Sequence, residues 1–199
     1  MRAPAGQVDS AEAARLLHLQ MTAAQVYDSV TNGGARDFAE AVAILDRHGP
    51  WCLIGGLAVN HYVEPVYTMD ADLVLVADNL RAVQAALEGA GFSVQAFSHS
   101  INATKPESKL VLQFTTESRY QAFIDRAKRG DVLGCTVPIA SLPDLIQGKV
   151  WAWSDPSRRL SKHKKDELDL IRIAENYPEL RRLMPAEIIS QIEERGSAE

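Results

Sequence analysis

Residues 51–75 read WCLIGGLAVNHYVEPVYTMDADLVL. Trp51 to Ile54 is a short apolar run stopped by Gly55-Gly56, the pattern of a buried strand. Leu57 to Val63 has room for one or two helical turns before Glu64-Pro65 stops them. Asp70-Ala71-Asp72 then runs into Leu73–Ala77, a continuous apolar strand. Asp70 and Asp72 are two apart at the start of that strand, so both side chains point to one face. Like charges on one face repel unless a cation lies between them. Hard oxygen ligands suit Mg²⁺, which takes one or two carboxylates plus substrate phosphates. The glycine pair permits positive φ and close approach of a ligand to the backbone, and the N–H groups of the helix start favour phosphate. Each feature alone has a plain reading, a tight turn in one case and a solvated strand end in the other. Together they set a phosphate cradle beside a metal site, the layout needed for phosphoryl or nucleotidyl transfer.

Outward from this stretch, the pattern is a mixed one. On the N-terminal side, Asp9 or Ser10 caps a helix over 11–30, Thr31-Asn32-Gly33-Gly34 breaks the chain, and a second helix covers 37–47. On the C-terminal side, residues 79–91 read as a helix with a glycine stop. FSVQAF (92–97) and KLVLQFT (109–115) read as strands separated by a polar loop, HSINATKPES (99–108). Residues 119–130 read as a helix or irregular connector, and DVLGCTVPIA (131–140) as a strand interrupted by Gly134. Ser141, Pro143 and Asp144 open a helix with a capping-box pattern, a polar helix follows over 158–176, and a short one over 185–194. The expected fold class is α/β (α+β): a small mixed sheet with flanking helices and a helical C-terminal part. The expected divisions are an N-terminal tail and helix (1–34), an α/β core (35–140) and a helical part packed on it (141–199).

Composition narrows the function class. The chain has 199 residues, 46% apolar and 24% charged, the balance of a globular protein that can bury a core. Net charge is −5, not that of a protein that coats nucleic acid. The longest nearly apolar stretch, Trp51–Val59, is far short of the roughly 20 residues of a membrane span, and the N-terminus carries no signal-peptide run. Cys52 and Cys135 form no CxxC, and the five histidines show no ligand spacing, which points to a reducing cytoplasm and against zinc.

The segment from Leu53 to Leu75 resembles the signature of the polymerase-β-like nucleotidyltransferases: a Gly-Gly turn, a gap (here 57–69), then Thr-x-Asp-x-Asp at 68–72. Residues 141–170 resemble the C-terminal motif of AbiEii-type nucleotidyltransferases, toxin components of bacterial toxin–antitoxin and phage-defence systems, at Lys149, Asp166 and Asp169. The resemblance covers about 37–175. It implies Mg²⁺ or Mn²⁺ on Asp70 and Asp72. It implies an NTP held by Gly55, Gly56, Thr68 and Lys149, with Asp70, Asp72, Lys149 and Asp166 as the catalytic set. Lys149 would act as a point cation on phosphate, and Asp166 would orient it. The implied reaction moves a nucleoside monophosphate to an RNA (tRNA among them) or protein hydroxyl, with a cognate antitoxin as a candidate partner.

Two departures stand out. The superfamily often carries a third carboxylate on a later strand, and the matching strand here has Gln113. Val66 and Tyr67 stand where relatives have a basic residue before the Thr. Both leave open an alternative, a catalytically silent nucleotide- or RNA-binding module of the same fold. Arg158, Arg159, Lys162, His163, Lys164 and Lys165 form the concentrated basic run, read either as a solvated helix face or as a phosphate contact. Asp166 and Asp169 also fit ordinary i,i+4 pairs with Lys162 and Lys165. Trp151 and Trp153 offer a base-stacking surface or core anchors, and at this spacing on a helix they cannot face the same way.

Overall fold

The computed structural model describes residues 22–196. Helix α1 (Ala23–Thr31) starts at a reciprocal capping box: Thr22 Oγ1 accepts from the Gln25 N–H, and the Gln25 side chain accepts from the Thr22 N–H. The cap at Asp9 or Ser10, and the part of the expected helix before Thr22, lie outside the described residues. Helix α2 (Gly34–His48) begins three residues before the expected Asp37 because the preceding helix caps it. Thr31 Oγ1 accepts from the Gly34 N–H at 3.0 Å, and Asp28 accepts from the Ala35 and Arg36 N–H groups at 3.0 and 3.2 Å. These helix-start donors are satisfied by side chains at the end of α1 rather than by the residue at the cap position, Gly33.

The chain continues through β1 (Trp51–Ile54), α3 (Gly55–Tyr62), β2 (Asp70–Leu75), α4 (Leu80–Gly89), β3 (Ser93–Ala96), β4 (Ser100–Thr104) and β5 (Val111–Thr115). It ends with α5 (Ser118–Arg126), β6 (Lys128–Val132), β7 (Cys135–Ile139), α6 (Leu142–Trp153), α7 (Leu160–Asn176) and α8 (Ala186–Gly196). These strands form one mixed sheet in the order β3-β4-β5-β2-β1-β7-β6. β1 and β2 pair antiparallel at its centre, flanked by parallel partners β7 and β5. Trp51, Cys52 and Leu53 are all buried, so both faces of β1 are covered, which is why it reads as a continuous apolar run. The core joins Leu53, Leu73, Phe114 and Ile139 of the sheet to Phe38 and Leu45 of α2 and Ile146 of α6. The α/β class expected from the sequence is the class observed. Among the described residues no helix is long and apolar enough to cross a membrane.

Two local expectations fail. The polar loop over 99–108 contains β4, whose Ile101 and Ala103 are buried while Ser100, Asn102 and Thr104 are half-buried. Its period-2 alternation is that of a strand with one face on the core, masked by its polar composition. The interrupted strand around Gly134 is a hairpin of β6 and β7, and Lys128–Gly130 of the expected helix or connector belong to β6. Leu133 and Gly134 both take positive φ, +52° and +83°, the geometry of a two-residue hairpin turn.

Candidate active site

Asp70 and Asp72 share the half-buried face of β2, while Ala71 and Leu73 point into the core. They open into a cleft of about 350 Å³, bounded by the Gly55-Gly56 turn, β5, α5, α6 and α7. Asp72 is registered with Ile54 on β1 and Gln113 on β5. Gly55 has φ +70°, and a Cβ there would fall 2.0 Å from Asp72 Oδ2. Glycine is thus required twice, by backbone conformation and by close approach. Gly55→Ala is expected to cost about 2 kcal/mol or more and to push the Asp72 carboxylate out of place; a chemical-denaturation curve matching the wild type would contradict this.

The opposite wall is α7. Lys162, Lys165, Asp166, Asp169 and Arg172 recur at helical spacing on one face. Lys162 Nζ donates to Asp70 Oδ2. Lys165 Nζ donates to Thr68 Oγ1 at 2.8 Å, beside Gly56. Asp166 accepts from Lys149 at 2.9 Å and from Arg158 Nε. Asp169 lies 2.6 Å from Lys149 Nζ and accepts from Arg172 at 2.7 Å. Arg172 also donates to Asn60 Oδ1 at 2.9 Å and to the Glu64 carbonyl, tying the end of α3 to α7. The i,i+4 pairs of Asp166 with Lys162 and Asp169 with Lys165 therefore do not form: both carboxylates turn inward to Lys149.

The structure thus gathers Gly55, Gly56, Asp70, Asp72, Lys149 and Asp166 around one cleft, with Thr68 at its edge through Lys165. Lys149 is only 8% exposed and faces two buried carboxylates. Burial works to lower its pKa, but Asp169 and Asp166 outweigh that and hold it above the usual lysine value. Its charge is met within the protein; Lys162 and Lys165, with Arg119 and Arg158, also line the cleft. Lys162 and Lys165, with Arg158, are the site residues that motif matching missed. Their signal was the 158, 162, 165 spacing inside the basic run, which also supplies the positive charge that Val66 and Tyr67 lack. The rest of that run turns away: Lys164 pairs with Glu167 at 2.9 Å. The tryptophans separate as their spacing requires. Trp151 stacks on Phe123 (centroids 5.9 Å, planes 9° apart) with Tyr120 edge-on, lining the cleft, while Trp153 lies against His163.

Asp72 is half-buried, and its side chain makes no hydrogen bond or ion pair among the described residues. Burial raises its pKa, against the opposing pull of Lys149 and with a further push from Asp70. A desolvated carboxylate with no direct ion pair among the described residues, beside a second carboxylate on the same strand face, is a donor set that a hard divalent cation fits. Gln113 lies alongside and also makes no side-chain hydrogen bond among the described residues. Among those residues no cluster of three His, Cys, Asp or Glu side chains could hold a metal, so a cation here would take two protein carboxylates.

No family model and no curated protein matches the chain. Among solved structures it is similar to ANT(2″)-Ia, an antibiotic-resistance factor. The crystal structure of ANT(2″)-Ia in complex with adenylyl-2″-tobramycin matches at TM-score 0.58 and 17% identity, over 79% of this chain and 98% of that one. The solution structure of ANT(2″)-Ia matches at TM-score 0.56 and 17% identity, over 82% and 93%. The mixed sheet of this chain, with β1 and β2 at its centre and helices flanking it, is the nucleotidyltransferase fold.

Proposed function

We propose that this protein is a nucleotidyltransferase that moves a nucleoside monophosphate from an NTP to an acceptor hydroxyl and releases pyrophosphate. We rest the reading on one observation: the cleft holds an anion and a cation, Asp72 and Lys165, and neither makes a direct ion pair among the described residues. A ligand that satisfies both must bring a cation to β2 and an anion to α7, as a metal–polyphosphate does. Asp70 and Asp72 would hold Mg²⁺ or Mn²⁺, which would polarise the α-phosphate and favour the alkoxide of the attacking hydroxyl. The Gly55-Gly56 turn lets the phosphates approach the backbone at the start of α3. Lys165 and Lys162 neutralise polyphosphate charge. Asp166 and Asp169 fix Lys149 beneath the site, and the aromatic wall of Tyr120, Phe123 and Trp151 bounds it laterally.

The resemblance at Lys149, Asp166 and Asp169 to AbiEii-type enzymes supports RNA, tRNA included, or a protein side chain as acceptor, with a cognate antitoxin as partner and the cytoplasm as its place. The adenylyl-2″-tobramycin bound to ANT(2″)-Ia adds a small-molecule hydroxyl to the acceptors worth testing. The test incubates the protein with Mg²⁺, each α-³²P-labelled NTP, and either total RNA, protein extract or an aminoglycoside. Label moving to an acceptor in the wild type and not in Asp70→Ala supports transfer and identifies the acceptor class. Equal labelling by the variant refutes it.

A second reading, a nucleotide-binding module without catalysis, is favoured by Gln113 in register with Asp72, where a third carboxylate would complete the metal site. It is tested by Gln113→Glu. Under the catalytic reading the two-carboxylate site already works, and the added charge is expected to tighten Mn²⁺ binding and leave measurable transfer in both forms. Transfer appearing only in the variant would support the silent module.

A further inference from the structure

The Lys162–Asp70 contact bridges two elements far apart in sequence, α7 and the first residue of β2. Its side chains are 36% and 20% exposed, so water reaches the pair and its net strength is small. The adjacent Asp72 carboxylate makes no hydrogen bond or direct ion pair among the described residues. Between these two carboxylates and the ammonium groups of the described residues, the cleft makes one direct ion pair, Lys162–Asp70, at the place where a divalent cation would need both carboxylates. The lysine stem is flexible enough for the ammonium to leave Asp70 without moving the helix. One turn along, Lys165 donates to the neutral Thr68 hydroxyl and makes no direct ion pair among the described residues, so a displaced Lys162 would join a second cation already facing the cleft.

We propose that Lys162 is an exchangeable counter-ion. In the ligand-free protein its ammonium holds Asp70, an incoming divalent cation displaces it, and the freed ammonium binds polyphosphate oxygens. The proposal rests on the nucleotidyltransferase reading and deepens it. Metal alone must break the ion pair and leave Lys162 unpaired beside a like charge. Metal arriving with a polyphosphate gives Lys162 a new partner at once. Metal and nucleotide thus bind with positive coupling, and by linkage each strengthens the other by the same factor.

The test measures Mn²⁺ binding by electron paramagnetic resonance to the full chain, alone and with the α,β-methylene analogues of ATP, GTP, CTP and UTP in turn. The variants are Lys162→Met, Asp72→Asn and, as a control outside the cleft, Lys164→Met. Wild type is expected to bind Mn²⁺ weakly alone and more tightly with an analogue. Lys162→Met is expected to bind Mn²⁺ alone about three- to tenfold more tightly and to lose most of the enhancement by the analogue. Lys164→Met should match wild type. Unchanged Mn²⁺ affinity and enhancement in Lys162→Met would overturn the proposal and leave Lys162 as a static strap between α7 and β2, with metal loss in Asp72→Asn still supporting the transferase reading. Mn²⁺ binding unaffected by Asp72→Asn, or absent throughout, would overturn both.

Discussion

Asp72→Asn is expected to lower nucleotidyl transfer by about 10³-fold or more, since in the proposed reaction it would remove a charged metal ligand at the point where phosphate charge develops. The same change is expected to stabilise the metal-free protein. Burial raises the Asp72 pKa above its ordinary value of 3.8. For a carboxyl raised on folding, the relative stability is fully present below the unfolded value and is lost as pH rises through the folded one. Wild type should therefore lose stability against Asp72→Asn as pH climbs from about 3.8, with the gap widest at neutral pH and absent in strong acid. Thermal melts of both proteins in a chelator across this range measure it. A variant that melts lower than wild type at neutral pH would show that the carboxylate has a stabilising partner, contrary to the geometry. Saturating Mg²⁺ should close the gap by stabilising only the wild type.

The second large effect lies one layer deeper. Lys149→Met leaves Asp166 and Asp169, both 2% exposed, without the ammonium that faces them. Breaking a buried ion pair by removing one partner costs about 3–5 kcal/mol. For a domain of this length that corresponds to a Tm loss of about 6–20 °C. Arg158 and Arg172 remain on the two carboxylates and keep the loss from being larger. In the wild type, the raised Lys149 pKa means that this stabilisation is intact below the ordinary lysine value of 10.5 and fades as pH rises through the higher folded value. A loss of transfer with no change in Tm would instead make Lys149 a direct phosphate ligand. Lys149→Met with both stability and activity reduced is the outcome expected of a residue that positions α7 over the cleft.

Together these predictions separate two layers of charge. The inner layer, Lys149 with Asp166, Asp169 and Arg172, is buried and internally paired, so it holds α6, α7 and the end of α3 together. The outer layer, Asp70, Asp72, Lys162 and Lys165, is half-buried and incompletely paired, so it is the layer the proposal assigns to ligand. Sequence motifs place Lys149 and Asp166 in one group with Asp70 and Asp72 because motifs record proximity to chemistry, not the state of each charge.

The sequence by itself determined the central strands, the glycine turn and the shared face of Asp70 and Asp72. These follow from apolar runs, glycine conformation and the period of a strand, all local properties of residues 51–75. It determined the Ser141 cap of α6 for the same reason, since Ser141 Oγ accepts from the Asp144 N–H within its own turn. Only the tertiary structure decided that SINAT is a strand, paired between β3 and β5. Only it decided that Lys162 and Lys165 of the basic run face Asp70 and Thr68, while His163 and Lys164 lie against Glu167. The contacts of Lys162 and Lys165 depend on partners outside the local window, 92 and 97 residues away. Local spacing tells which side chains share a helix face, and the packing of that helix against the sheet decides what the face meets.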